Sequence, residues 1–135
     1  MDYYKLSEEP MRAAIINKQQ GLYRMSVCMS TLTIDLLLKS VLYRIEPTHD
    51  LLMGHNHAGI VTFIENKYPK DNNVRQMAKM SRKYFKDSRY SRSENLSVFT
   101  ETLADDFINY TKCIKDYIDN SCQSTVSDLI NKFNN

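Results

Sequence analysis

The stretch "LSVFTETLADDFINYTKCIKDY", residues 96–117, decides the fold class. Leu96, Phe99, Leu103, Phe107, Tyr110, Ile114 and Tyr117 recur at steps of three or four. That period is the signature of one long helix with a single apolar face, and about six turns of it suit a bundle seam. Ser91 and Glu94, just upstream, have the spacing of a capping box. Glycine and proline number only three each, and no apolar–polar alternation of strand type occurs. An all-helical protein follows.

Working outward, a second long helix is expected from about Leu22 to Arg44. Met25, Met29, Leu32, Leu36 and Tyr43 form one stripe, Val27, Ile34, Leu37 and Val41 another, and Cys28, Leu38 and Leu42 a third. A helix apolar on most sides is a central one. Asp35 and Lys39 stand four apart on it and can pair. Pro47 ends it. Before it, a first helix is predicted from Ser7, with Ser7 as N-cap, Glu8 and Glu9 at the positive end of the dipole, and Gly21 breaking the chain afterwards. After it, Thr48 is expected to cap a third helix running through "LLMGHNHAGIVTFIENK" to Tyr68-Pro69, weakened by Gly54 and Gly59. A basic fourth helix spans roughly Asn73 to Lys86, and a short last one presents Val126, Leu129, Ile130 and Phe133. The expected architecture is one domain over residues 1–135, an up-and-down antiparallel bundle of four main helices plus short accessory ones.

The 135 residues suit one core, and 25% charged against 42% hydrophobic residues is ordinary for a globular chain. The most apolar segment is interrupted by Asp35, Lys39 and Arg44, and the N-terminus has no basic start followed by an apolar block. Neither a membrane span nor a signal peptide is therefore expected. Three cysteines without metal-type spacing fit reduced thiols of a cytoplasmic protein. The net charge of +2 hides an asymmetry, since residues 75–92 hold seven basic side chains against Asp87 alone. Such a basic window points to an anionic partner.

All three histidines, His49, His55 and His57, fall in "YRIEPTHDLLMGHNH", residues 43–57. On one continuous helix, His55 and His57 lie about 160° apart and cannot grip one ion. A metal site is therefore not expected, and neither is a cofactor; no nucleophile site stands out either, for the chain has no Gly-rich phosphate loop or serine elbow. His55 and His57 read as surface or packing residues, and His49 as a residue near a helix start. In "SRKYFKDSRYSRS", residues 81–93, arginines and lysines interleave with Tyr84, Phe85 and Tyr90, a pattern fit for phosphates and bases as well as for a solvated charged face.

Two segments carry a family resemblance. "IDLLLKSVLYRIEPTHDLL", Ile34–Leu52, resembles the second-helix end and third-helix start of HEPN domains, where "THDL" opens the next helix. "YFKDSRYS", Tyr84–Ser91, resembles that family's tyrosine-rich segment ending in Arg-Tyr. The likeness runs over roughly residues 20–120. It implies a bundle of four or five helices, commonly a homodimer. Some members are ribonucleases, often toxins or defence effectors, with a late arginine and histidine four to six residues apart. Others bind nucleotides or act with small nucleotidyltransferases.

The chain departs from the ribonuclease pattern. Counting on from Arg89, the histidine positions hold Glu94, Asn95 and Leu96, and no histidine follows His57. The resemblance therefore implies a nucleotide- or RNA-binding domain working with a nucleotidyltransferase or with a toxin–antitoxin or defence partner. Lys39, Arg44, His49, Tyr84, Arg89 and Tyr90 are its expected site residues. Arginines would hold phosphate and tyrosines would stack on a base. One alternative is a metal-independent ribonuclease using Arg44 and His49, the one Arg–His pair of the right spacing. Another is a purely structural interaction bundle.

Overall fold

The computed structural model describes residues 1–90 and 93–123. Among them every regular element is helical. A single turn, α1 (Tyr3–Leu6), leads into α2 (Glu8–Gln19), followed by α3 (Tyr23–Ile45), α4 (His57–Ile64), α5 (Asn72–Tyr90) and α6 (Glu101–Ser121). Two 3-10 turns, Asp50–Met53 and Ser93–Val98, sit in the connections before α4 and α6.

α3 is the axis of the bundle, and α2, α4, α5 and α6 all pack on it. Two of its three stripes are buried in the core, while Met25, Met29, Leu32, Leu36 and Tyr43 are only half-buried. Ile34, Leu37, Leu38, Val41 and Leu42 meet Ile60, Val61 and Ile64 of α4, Val74 and Ala78 of α5, and Ile114, Tyr117 and Ile118 of α6. Nearer the start of α3, Val27 joins Phe99, Ala104 and Phe107, with Tyr84 and Met80 against them. α3 is long and apolar enough to cross a membrane by length and composition, but 72% of its apolar window is buried inside the bundle. Small polar residues let α2 approach: buried Ser26 donates its hydroxyl to the Ala14 carbonyl, 2.7 Å away.

The helix ends obey local chemistry. Gly21 takes φ +76, where it suffers no Cβ penalty. Leu22 N–H then returns to the Asn17 carbonyl at 2.8 Å and Gly21 N–H to Lys18 at 3.0 Å, closing α2. Glu46, preceding Pro47, is extended and stops α3.

Three expected boundaries differ. Ser7 does not cap with its side chain; its hydroxyl donates back to Tyr4, because α1 already occupies the upstream turn. The helix expected from Thr48 to Tyr68 is two elements. His49, not Thr48, caps the Asp50–Met53 turn by accepting from Leu51 N–H at 3.0 Å. Gly54 is then extended, and Asn56 starts α4 afresh, its side-chain oxygen 2.9 Å from Gly59 N–H. Finally, α6 begins at Glu101, with the Thr100 hydroxyl capping Leu103 N–H at 3.1 Å, so that Phe99 is buried from the connection before the helix and Leu96 is left exposed. Ser91 of the expected Ser91–Glu94 capping box and the last helix at Val126–Phe133 lie outside the described residues.

Candidate functional site

The redrawn start of α4 changes what the histidines do. Asp35 lies on the inner face of α3 with only 2% of its surface exposed. A buried carboxylate needs compensating partners, and three converge on this one. Lys39 Nζ, one turn along α3, is 2.9 Å from Oδ2. His57 Nε2 is 2.9 Å from Oδ1, and His55 Nδ1 is 3.1 Å from the same oxygen. An ionised carboxylate only accepts, so both rings present N–H to it. Burial pushes the Asp35 carboxyl upward, but His57 and Lys39 together outweigh it and hold the group below its usual range. His57 is itself fully buried, and burial keeps its ring from charging despite Asp35. Its Nδ1 has no hydrogen-bond partner among the described residues.

His55 is different, because it precedes α4 and is half exposed. Its Nδ1 is held by Asp35, while its Nε2 has no hydrogen-bond partner among the described residues, an arrangement that fixes both tautomer and ring direction. The ring also stacks on Phe85 of α5, centroids 4.1 Å apart and planes 21° apart. The Arg89 guanidinium sits 3.6 Å from the centroid of the same Phe85 ring. Two groups that close cannot share one face, so Phe85 is clasped between His55 and Arg89. Arg89 donates to the Phe85 carbonyl at 2.7 Å and to Thr31 Oγ1 at 3.1 Å. Both acceptors are neutral, so these bonds orient the guanidinium without cancelling its charge. The result is a surface site of an imidazole, an aromatic ring and a cation, standing on a buried ionic base.

The sequence-derived residues fall in four places. Lys39 and Arg89 belong to this site, although Lys39 lies beneath it with its charge met by Asp35. Tyr90 follows at the end of α5 and is 75% exposed. Tyr84 turns inward, edge-on to Phe107 at 5.3 Å and Phe99 at 6.2 Å. Arg44 is at the far end of α3, about 20 Å along the helix from the Thr31 level by its rise of about 1.5 Å per residue. There its guanidinium reaches the Tyr68 hydroxyl at 3.2 Å and the Cys122 carbonyl. It also lines a cavity of about 480 Å³ with Tyr3, Tyr4, Ser40 and Asp119. His49 packs edge-on to Phe63 at 4.5 Å and stands 3.7 Å from Glu46. Arg89 therefore does not share a cleft with Arg44 and His49.

His55, His57 and Thr31 are not among the residues expected from the sequence, Phe85 stands there only as one aromatic of the basic window, and Asp35 only as a partner for Lys39. The available signal was Asn56 followed three residues later by Gly59, ahead of an apolar run. That marks a cap and a fresh helix, and it frees His55 from helical geometry. Among the described residues no group of His, Cys, Asp and Glu is arranged to hold a metal ion. Both Asp35 oxygens are already taken by nitrogen donors.

The model of the HEPN domain matches residues 1–121. The chain belongs to the HEPN family. Membership places it among helical domains of nucleotide- and RNA-related function. A crystal structure described as that of an archaeal HEPN homologue superimposes with a TM-score of 0.71 at 20% sequence identity, covering 87% of this chain and 93% of that one. At that identity the likeness speaks for the HEPN fold alone. No curated protein matches the chain.

Proposed function

We propose that this HEPN domain binds a phosphate-bearing nucleotide or RNA end at the surface where His55, Phe85 and Arg89 meet. The observation that carries the reading is the clasp itself. A cation whose hydrogen bonds leave its charge intact and an imidazole held by a buried carboxylate flank one aromatic ring. Arg89 supplies charge-assisted donors to phosphate oxygens, and His55 Nε2 a further hydrogen bond. Tyr90, exposed next to Arg89, offers a stacking surface for a base. Lys39 acts from below by keeping Asp35 ionised and fixed. The domain works as the ligand-binding partner of a nucleotidyltransferase or within a toxin–antitoxin or defence pair, and as a homodimer.

A ribonuclease built on Arg44 and His49 requires both side chains at one phosphate. His49 Nδ1 is engaged by Leu51, and Arg44 is turned to Tyr68 and Cys122, which favours binding over that chemistry. Thermal melting with and without millimolar nucleoside mono- and diphosphates tests the reading. Stabilisation of the wild type that disappears in Arg89→Ala and persists in Arg44→Ala is expected. Absence of any shift with these ligands or with a short RNA overturns it.

A further inference from the structure

α5 carries more positive charge than one phosphate requires. At about 100° per residue, Arg75, Lys79, Arg82, Lys86 and Arg89 fall within an arc of about 80°, a ridge about 21 Å long. The two ends of this ridge have structural tasks. Arg75 pairs with Glu65 at the end of α4, and Arg89 holds Thr31 and its own helix carbonyl. The middle three have none. Lys79, Arg82 and Lys86 are exposed, and none has a hydrogen-bond or ion-pair partner among the described residues.

The neighbouring surface leaves that charge standing. α4, packed alongside, contains no acidic residue, and Glu65 just past its end is already bound to Arg75. One flank of the ridge is committed to the core through Val74, Ala78 and Ser81, which lie about 60–120° round the helix from its centre. The exposed residues of the ridge are cationic, with a single exposed ring, Tyr90, at its end, which suits a polyanion rather than insertion into lipid. At its Arg89 end the ridge runs into the His55–Phe85 stack, where π-faces are available.

We infer that the ridge is a track for several consecutive phosphates of a single-stranded nucleic acid, leading away from the His55–Arg89 site. The inference rests on the proposed function and deepens it, because it names an extended strand as the ligand instead of an isolated nucleotide. Backbone contacts of this kind give affinity that grows with strand length, is indifferent to base sequence and falls with salt.

The test compares a fluorescein-labelled 12-nucleotide single-stranded RNA, measured by anisotropy, with adenosine monophosphate, measured by thermal shift. The proteins are the full chain and its Arg82→Glu/Lys86→Glu variant. For three ridge contacts the slope of log affinity against log salt is about −2, or about twenty-fold weaker binding at 200 mM than at 50 mM potassium chloride. The variant is expected to lose at least ten-fold in RNA affinity at 50 mM salt with its far-ultraviolet circular dichroism unchanged. Its response to adenosine monophosphate should equal that of the wild type. RNA binding no tighter than mononucleotide binding, or equal RNA affinity of variant and wild type, overturns the track while leaving the His55–Arg89 site standing. Failure of both ligands overturns both. Binding to anionic vesicles without binding to RNA also overturns the track.

Discussion

Replacing Asp35 by asparagine should destabilise this HEPN domain far more than its one-atom change suggests. The carboxylate accepts from Lys39, His55 and His57 while 2% exposed. An asparagine keeps one acceptor oxygen and turns an NH2 group toward a donor, against either the Lys39 ammonium or the two rings. It also leaves the Lys39 charge, 6% exposed, without a counter-ion. Breaking a buried pair from one side costs about 3–5 kcal/mol, a large part of a stability of about 5–15 kcal/mol. For a domain of this size that lowers the melting temperature by about 10–20 °C. Urea titration followed by circular dichroism measures the loss directly. Lys39→Met removes the other partner, and the double variant should cost clearly less than the two single losses together, because the groups share one network. An Asp35→Asn protein melting within about 2 °C of the wild type, or strictly additive losses, refutes the view of Asp35 as the ionised base of the site.

Acid sensitivity should follow from His57. Burial holds its ring below the ordinary histidine range, so the unfolded chain takes up a proton that the folded chain refuses. Its contribution is whole above about pH 6.5 and is lost as pH falls below that value, whereas Asp35, held below its usual range, keeps its contribution until about pH 4. Urea midpoints should drop between pH 7.5 and 5.5 in the wild type and drop less in His57→Gln; equal drops would count against a buried neutral ring. Gly21→Ala should cost about 1 kcal/mol, because a Cβ is disfavoured at φ +76, and an unchanged melt would argue against that turn geometry. Arg89→Ala should abolish nucleotide-dependent stabilisation, as measured by thermal shift, while Arg44→Ala retains it.

Much of the fold was written in periodicity. The Phe99–Tyr117 stripe and the three stripes of α3 each repeat over many turns, so neighbouring positions agree and the helix is over-determined. The segment from Thr48 to Tyr68 was harder. Its apolar letters are compatible with one helix, and the break is carried by only two residues, Gly54 and Asn56. The site was less legible for a related reason. Asp35 meets His55 and His57 across twenty and twenty-two residues of sequence, and periodicity within one helix has no information about such a pairing. Arg89 was visible as part of a basic, aromatic-rich window. Which ring it would cover depended on where α5 sits against the start of α4, a tertiary result. Tyr84 and Tyr90 stood equal in the sequence, and the turn of α5 separated them into core and solvent.

We propose that ligand binds at His55, Phe85 and Arg89. A heteronuclear NMR titration of the labelled chain with a 5′-phosphorylated trinucleotide locates the bound ligand. Saturable shifts of the His55 imidazole, the Phe85 ring and the Arg89 side chain are expected, with Tyr4 and Ser40 at the Arg44 cavity unmoved. Shifts concentrated at Tyr4, Ser40 and Arg44, with His55 silent, would contradict it.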